Sequence, residues 1–490
     1  MGRFKPSPSD HVQTETSITQ SVQSATENAL AKLFEQCDAD RYKINRNAHL
    51  NFTARLIFQG FPRRYTSQDA SQPWLLFWNF QALQTLGISF DASNKERAIA
   101  TILRTQHPKG GFGGGPAQNA HLLSNYAAVC TLAIMGSSSP DGGWDQIDRK
   151  AMYEWFMSLK EPDGSFLVCH HGEVDMRGIY CLLVVATMLN LLTPELVRGL
   201  REFVASCQTY EGGFSAASQP YFSASPPSLE SLLSSPRPPL GEAHGGYSYC
   251  ALASLILLEA VDPHPNPTKW MGIDVKRLYR WAISLQALHI ELGGFRGRTN
   301  KLVDGCYSWW LGGLFPMLAE IMGGVQDAPK VKYDESPTAG ITDEWAGEEE
   351  CLFNRQALQR FILISSQSES GGLRDKPGRP SDAYHTLYNL SGLSSAQHRV
   401  RRTAKQKEEI IRKWVPLPSK DTQVFDDHIV RFSEEVLKNV FVASMSWEED
   451  EPASRYVGGA ANRLNATHPI FDLTTTVTKG IMNHFYHQDC

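Results

Sequence analysis

The chain has 490 residues, of which 42% are hydrophobic and 20% charged, so it can bury a large core and is not disordered as a whole. A net charge of −5 excludes a generic binder of nucleic acids or of anionic membranes. The longest apolar run, Ile179–Leu192, is shorter than the roughly 18 residues of a membrane span. Nine scattered cysteines suit reduced thiols. We expect a cytoplasmic protein that neither binds nucleic acid nor inserts stably in a membrane.

Repeated segments dominate the chain after an N-terminal extension, residues 1–50, that is predicted to be partly flexible. The first apolar helix is predicted at Trp74–Leu83. Five segments then share one design: an amphipathic helix, a Gly-rich turn that ends in Phe or Leu, a polar stretch and an apolar, mostly Tyr-containing helix. The five turns are Gly110–Phe112, Asp163–Phe166, Glu211–Phe214, Leu292–Phe295 and Ser370–Leu373.

A polar residue recurs nine positions after the end of four of these turns. The third segment fits the pattern once the Ser- and Pro-rich stretch 217–241 is set aside as a flexible surface insertion. We call these recurring residues the position-zero residues. They are His121, Asp175, His244, Asp304 and Asp382.

Helix pairs of this kind can stack as an open solenoid or close into a ring. The inner helices are too apolar to leave one side in water, which favours the ring. We therefore predict an all-α fold, a closed α/α barrel over residues 51–395, with helix N-termini around one mouth where their dipoles attract anions. Residues 396–490 are predicted to be a helical extension, starting with a mixed-charge helix at Val400–Trp414, and a tail that packs on the barrel.

Three candidate metal ligands follow from the fourth and fifth segments. Asp304 and Cys306 lie two residues apart, and His385 follows Asp382 by three. If adjacent inner helices begin at one height, the three side chains meet at the rim of the barrel. Oxygen, sulfur and nitrogen ligands with a vacant fourth place describe a catalytic zinc site. The spacing alone also fits unrelated core and cap residues.

Cations and aromatic residues surround the same rim. Arg298 and Lys301 precede Asp304, and Arg177 and His244 lie on neighbouring segments. These residues suit a diphosphate or are simply exposed loop charges. Aromatic residues on the inner helices are either core or the lining of a cavity. Together, an aromatic ring with cations at its mouth fits a long hydrocarbon attached to a diphosphate.

Five blocks, in one order between about residues 71 and 395, resemble the signature of protein prenyltransferase β subunits. The resemblance implies an α6–α6 barrel that forms an obligate heterodimer with a helical-repeat α subunit. It also implies transfer of an isoprenoid to the cysteine thiol of proteins that end in a CaaX sequence. The five blocks are Ser71–Trp78, Asp175–Cys181, His244–Tyr247, Gly293–Ser308 and Asp375–Gly378 with Tyr384–Thr386.

Carried over position by position, the resemblance implies roles for individual side chains. One zinc ion per β subunit would be held by Asp304, Cys306 and His385. The diphosphate would be bound by His244, Arg298, Lys301 and Tyr307, and Lys301 and Tyr307 would take part in catalysis beside the zinc ligands. The isoprenoid and the peptide would contact Trp74, Trp78, Arg177, Tyr180, Tyr247, Cys250, Trp310 and Tyr384.

Two positions indicate which isoprenoid is transferred. The block around Trp74 resembles the farnesyl type, in which this residue closes the cavity and excludes a fourth isoprene unit. Asp375 matches a carboxylate that binds magnesium in the farnesyl type, whereas type I geranylgeranyl enzymes have Lys there. Farnesyl diphosphate is therefore the expected donor and Mg²⁺ a second cofactor. Two departures from the family pattern are Ala117, where the family has Gly, and Trp309, where Phe is common.

Three other interpretations compete with a farnesyl enzyme. The first is the β subunit of a type I geranylgeranyltransferase. The second is a terpene cyclase, which would need a D-x-D-D acid motif that this sequence lacks. The third is a non-catalytic helical-repeat scaffold, in which the aromatic residues are core and no metal is bound.

Overall fold

A computed structural model of the chain describes residues 17–36, 42–219, 237–263, 270–288, 291–323, 352–417, 424–426 and 428–489. In these ranges no helix combines the length and the apolarity needed to cross a bilayer. The helices are α1 (Ile18–Glu35), α2 (Arg46–Phe58), α3 (Gln72–Thr85), α4 (Ala92–Leu103), α5 (Leu122–Met135), α6 (Arg149–Ser158), α7 (Met176–Met188), α8 (Pro194–Val197), α9 (Leu200–Ser206), α10 (Gly245–Val261), α11 (Val275–Ser284), α12 (Tyr307–Trp310), α13 (Leu314–Ile321), α14 (Arg355–Phe361), α15 (Ala383–Gln397), α16 (Ala404–Lys413), α17 (Glu434–Met445) and α18 (Thr475–Phe485). The strands are β1 (Ala217–Ser218), β2 (Pro239–Leu240), β3 (Val400–Arg402) and β4 (Trp447–Glu449).

The inner helices form a closed ring. In order around it, α3, α5, α7, α10, α12 and α15 each pack against the next, and α15 packs against α3. Most residues of α5, α7, α10 and α15 are buried, as expected for helices with neighbours on both sides. The ring confirms the predicted α6–α6 barrel and contradicts an open solenoid. Helix α3 also confirms the helix predicted at Trp74–Leu83.

The Gly-rich turns join the barrel to a second, outer ring of helices. A Cβ atom on Gly110, which has a φ of 96°, would lie 1.9 Å from the carbonyl oxygen of Ala151 in α6. Only glycine therefore allows this turn to pack on the next outer helix. The fifth turn makes the same contact with α2, because a Cβ on Gly371 would lie 2.1 Å from the carbonyl oxygen of Ala48. Helix α2 thus closes the outer ring.

Helix α2 crosses the boundary predicted at residue 50, and its place in the outer ring was missed. Its buried face includes His49 and Thr53, both fully buried and both polar. Because two of its buried residues are polar, the sequence of α2 does not show the apolar repeat of 3.6 residues that predicts a helix with one buried face. This part of the predicted N-terminal extension belongs to the barrel.

The position-zero residues recur because they cap the inner helices. Four of them are the N-cap residues of α5, α7, α10 and α15, and their side chains accept a hydrogen bond from a backbone N–H two or three residues later. Asp304 likewise accepts a bond of 2.9 Å from the backbone N–H of Cys306. A buried helix end must satisfy its free N–H groups, and short polar side chains do so.

The loops between turn and inner helix repeat one backbone conformation. The fifth residue after the turn has a left-handed φ in four segments: 62° at Ala117, 63° at His171, 60° at Asn300 and 83° at Gly378. This conformation favours glycine, and Ala117, which stands where the family resemblance predicts Gly, adopts it as well. The substitution keeps the loop shape that the other segments share.

The C-terminal part of the chain enters the barrel from the end where the inner helices finish. Tyr126, Tyr180 and Tyr249, on three consecutive inner helices, donate hydrogen bonds of 2.8 to 3.0 Å from their hydroxyl groups to the backbone carbonyl oxygens of residues 469–471. At the start of this extension the structure differs from the prediction. Val400–Arg402 is strand β3, paired with β4, and the helix begins only at Ala404 with Thr403 as its cap.

The described ends of the insertion 217–241 are anchored. Strand β1 pairs with β2 in an antiparallel ladder. Arg237, whose side chain is 3% exposed, forms an ion pair of 2.6 Å with Asp163 in the second turn. Residues 220–236, the rest of the predicted flexible stretch, lie outside the described residues.

Candidate active site and metal centre

Three side chains meet at the mouth of the barrel. One oxygen of Asp304, the sulfur of Cys306 and a ring nitrogen of His385 all lie within 4.8 Å of one another. Among the residues that the structure describes, no other three side chains of these types lie so close together. The structure therefore brings together the three residues that were predicted to meet, and it contradicts their interpretation as unrelated core and cap residues.

Two glycines let the helices that carry these ligands approach each other. A Cβ on Gly392 of α15 would lie 2.4 Å from the backbone carbonyl carbon of Ser308 in α12. A Cβ on Gly305 would lie 2.4 Å from the side-chain nitrogen of Asn389, again on α15. Neither contact leaves room for a methyl group. The missing side chains let the start of α12 pack closely against the middle of α15.

Hydrogen bonds orient two of the three ligands. His385 Nδ1 lies 2.7 Å from Oδ2 of Asp382, and Nε2 lies 3.3 Å from Oδ1 of Asp304. A proton on Nδ1 is donated to Asp382 and leaves Nε2 as the ligand atom. Histidines that bind metals in proteins are usually held by a carboxylate in this way. Asp382 thus caps α15 and fixes the ring of His385 at once.

Burial and the neighbouring carboxylates shift the pKa values of all three side chains of the cluster. Burial lowers the pKa of His385, but hydrogen bonds to Asp304 and Asp382 outweigh burial and raise it to about 10. Burial, and then the nearby carboxylate of Asp304, raise the pKa of the Cys306 thiol well above its usual range. Burial opposes ionisation of Asp304, yet the bond to His385 brings the pKa of this carboxyl below its usual value.

A pair of uncharged polar side chains lies beside the cluster. The hydroxyl oxygen of Tyr307 is 3.0 Å from Nε2 of His244, whose Nδ1 accepts the backbone N–H of Gly246. Burial, with the charges of Arg298 and Arg177, lowers the pKa of His244 to about 4. Near neutral pH His244 is therefore uncharged and carries its proton on Nε2. Its one N–H faces the Tyr307 hydroxyl, so that hydroxyl keeps its own proton for a hydrogen bond to an anion.

The two arginines at the mouth are ion-paired. Arg177 pairs with Asp175 at 2.7 Å, and its guanidinium lies 5.7 Å from the centre of the Tyr247 ring. Arg298 pairs with Glu242. Lys301 is exposed and forms no ion pair with any residue that the structure describes. Of the Arg and Lys residues predicted at the mouth, Lys301 is therefore the one without a described carboxylate partner.

Asp375 lies close enough to the cluster for the charge of Asp304 to shift the pKa of its carboxyl. Its backbone carbonyl oxygen accepts a hydrogen bond of 2.7 Å from the N–H of Gly305, and its carboxylate pairs with Lys376. Burial, and then the charge of Asp304, raise the pKa of the Asp375 carboxyl. These effects destabilise the ionised carboxylate of Asp375, so a cation bound beside it would stabilise that carboxylate.

Below the mouth, eight aromatic side chains form a closed circuit around the inside of the barrel. Neighbouring ring centres in the circuit are 4.5 to 5.7 Å apart. All six inner helices of the ring contribute. In order around the barrel the members are Trp74, Tyr126, Tyr180, Tyr249, Trp310, Tyr388, Tyr384 and Trp78.

Five of the predicted isoprenoid-contacting residues belong to this circuit, and three lie next to it. Cys250 is 2% exposed and lies near Arg177, while Tyr247 packs against His244 with ring centres 4.9 Å apart. Sequence reasoning did not assign Tyr126, Tyr249 and Tyr388 to the site. A signal existed for two of them, because Tyr126 and Tyr249 lie five residues after a position-zero residue, as Tyr180 does.

Comparison with known proteins agrees with this architecture. The family model described as the prenyltransferase alpha-alpha toroid domain matches residues 44–473. The chain is 38% identical over 372 residues to the protein farnesyltransferase subunit beta of Pyricularia oryzae, covering 73% of this chain and 64% of that protein. It is 34% identical to that of Schizosaccharomyces pombe, covering 78% of this chain and 85% of that protein.

Two further comparisons concern geranylgeranyl enzymes. The Arabidopsis thaliana geranylgeranyl transferase type-1 subunit beta is 29% identical, over 72% of this chain and 78% of that protein. Among solved structures, Candida albicans protein geranylgeranyltransferase-I complexed with GGPP matches with a TM-score of 0.57 at 17% identity. The match covers 90% of this chain and 99% of that chain, and it supports the fold.

The raised pKa values of His385 and Cys306 predict how metal affinity depends on pH. A metal ion must displace the proton that each group holds below its pKa, so affinity rises with pH between 6 and about 8. We expect release of about two protons per Zn²⁺ ion bound at neutral pH. Calorimetric titration of the metal-free protein with Zn²⁺ in buffers of different ionisation enthalpy measures this number. Binding without proton release would contradict the site.

Proposed function

The chain belongs to the protein prenyltransferase β-subunit family, and on that premise we propose that it is the catalytic β subunit of a heterodimeric protein farnesyltransferase. Its substrates would be farnesyl diphosphate and proteins that end in a CaaX sequence, and an α subunit would complete the enzyme. The observation that carries this proposal is the convergence of Asp304, Cys306 and His385 at the mouth of an aromatic-lined barrel.

The arrangement of groups suits a molecule with one apolar and one anionic end. The hydrocarbon chain would lie along the circuit of aromatic rings, where burial of apolar surface supplies the binding energy. The diphosphate would lie at the mouth beside Arg298, Lys301, His244 and Tyr307. Helix N-termini point to the same place and favour negative charge.

Two observations favour farnesyl over geranylgeranyl as the group transferred. The farnesyltransferase relatives from Pyricularia oryzae and Schizosaccharomyces pombe are 38% and 34% identical to the chain, against 29% for the type-1 geranylgeranyl relative. Trp74 lies in the aromatic circuit with its ring centre 5.5 Å from that of Tyr126. An indole at this position shortens the space available to an isoprenoid, which supports selection of the shorter chain.

Zinc suits the donor set of the three ligands. One carboxylate, one thiolate and one imidazole are ligands that zinc accepts in catalytic sites, which keep a fourth position for a substrate. A zinc ion held by Asp304, Cys306 and His385 would lower the pKa of a substrate thiol and so favour its thiolate form at neutral pH. Asp375 is the proposed carboxylate for Mg²⁺ near the diphosphate.

The side chains of the mouth would act on the leaving group. In the transfer, a bond forms between the cysteine sulfur and C1 of farnesyl diphosphate, and the bond from C1 to the bridging oxygen breaks. The electron pair of that bond leaves with the diphosphate, on which negative charge grows. Arg298 and Lys301 would stabilise this charge, and Tyr307, whose hydroxyl accepts the N–H of His244, would donate a hydrogen bond. Each charged contact is worth about 2 kcal/mol, which is about 30-fold in rate.

No side chain of this chain is required as a nucleophile or general base. The substrate thiol would give its proton to water before the transfer step. Cys306, a proposed zinc ligand, has its own thiol buried, 4% exposed. His385 is held between two carboxylates and is not free to shuttle a proton.

Replacement of one ligand tests the proposal. We expect that the Cys306→Ala protein, co-expressed with an α subunit, loses most of its zinc and its farnesyl transfer to a CaaX peptide, because the site keeps only two ligands. The Cys207→Ala protein is the control, since Cys207 is equally buried but lies on an outer helix. Elemental analysis and transfer assays with both prenyl diphosphates give the readout. Full zinc content and activity in Cys306→Ala would contradict the assignment.

Replacement of Trp74 tests the choice of isoprenoid. In Trp74→Thr the cavity gains the volume of an indole, so use of geranylgeranyl diphosphate should rise about tenfold or more relative to farnesyl diphosphate. The ratio of kcat/KM for the two donors measures the change. Trp414→Thr, at a partly buried Trp outside the barrel interior, controls for general destabilisation. An unchanged ratio would show that Trp74 does not select chain length.

A further inference from the structure

The two ion pairs at the mouth differ in how easily they can be exchanged. Arg177 donates from Nε and Nη2 to Asp175 at 2.9 and 2.7 Å, and the Asp175 side chain is only 7% exposed. Arg298 reaches Glu242 through Nη1 alone, and the Glu242 side chain is 50% exposed. A two-point bond to a buried carboxylate is strong, whereas a one-point bond to an exposed carboxylate is weak. Another anion can therefore displace the carboxylate of Glu242 from Arg298 more easily than that of Asp175 from Arg177.

Anchored backbone holds Glu242 at the mouth. It follows strand β2 by two residues, and β2 is tied to β1 at the base of the insertion. Arg237, two residues before β2, forms an ion pair with Asp163. On its other side Glu242 precedes His244, the cap of α10, by two residues. The carboxylate thus has a defined position opposite Arg298 rather than a place on a loose loop.

We propose that Glu242 is a positioning residue and counter-ion of the diphosphate site. It holds the guanidinium of Arg298 at the mouth, releases it when a diphosphate binds and takes it back when the diphosphate leaves. Carboxylate and diphosphate compete for one guanidinium, so Glu242 weakens diphosphate binding and favours product release. This inference rests on the proposed function, in which Arg298 contacts the diphosphate.

The test is the Glu242→Gln variant of the heterodimer, with inorganic diphosphate as the probe. Loss of an exposed carboxylate competitor should tighten diphosphate binding by about twofold to fivefold at low ionic strength. The difference from the wild type should vanish at roughly 0.5 M salt, where exposed charges are screened. The KM for farnesyl diphosphate should fall, while the rate of a single turnover should stay within about twofold of the wild type.

A matched control and a second background separate this role from a structural one. Glu195→Gln is matched in exposure: it breaks the two-point pair with Arg198, whose side chains are 53% and 36% exposed against 50% and 36% for Glu242 and Arg298. It should leave diphosphate affinity unchanged. In an Arg298→Ala background, Glu242→Gln should have no effect on diphosphate affinity, because the competition needs the guanidinium.

The outcomes distinguish this inference from the proposed function. If Arg298→Ala weakens diphosphate binding but Glu242→Gln leaves it unchanged or weaker, Glu242 is not a competing counter-ion and the diphosphate site stands. If Arg298→Ala and Lys301→Ala both leave diphosphate binding unchanged, the diphosphate site itself is wrong, and the role of Glu242 is wrong with it.

Discussion

The close approach of α12 and α15 is the contact on which the candidate site depends. Gly305 and Gly392 remove the side chains that would otherwise separate the two helices. Because the barrel is closed, this contact is also a link of the inner ring, so the site and the fold share it. A metal site needs its ligands within a few tenths of an ångström of their places, and rigid helix ends provide that precision better than loops.

Helix capping and site chemistry are combined in the same residues. Asp304 and Asp382 satisfy backbone N–H groups at the start of buried segments, as their counterparts do in the other repeats. In the fourth and fifth segments the same carboxylates also face His385 and raise its pKa to about 10. The capping carboxylates therefore also belong to the candidate active site in the two segments that carry Cys306 and His385.

The repeat made the barrel predictable, since the turn, the capping residue and the apolar helix recur at fixed spacing. Contacts between residues distant in the chain had no such signal. The tyrosine hydroxyls that hold residues 469–471 act across more than 200 residues, and the partner of Arg298 lies 56 residues away. Helix α2 was missed because polar His49 and Thr53 are buried there. His244 was expected to be cationic, and only burial beside two arginines makes it neutral.

X-ray absorption at the zinc edge tests the central claim most directly, because it counts sulfur ligands around the ion. For the heterodimer with farnesyl diphosphate we predict one zinc–sulfur contact at about 2.3 Å with nitrogen and oxygen completing the shell, and a second sulfur once a CaaX peptide is added. A shell with no sulfur, or one that the peptide leaves unchanged, would contradict a site built from Asp304, Cys306 and His385.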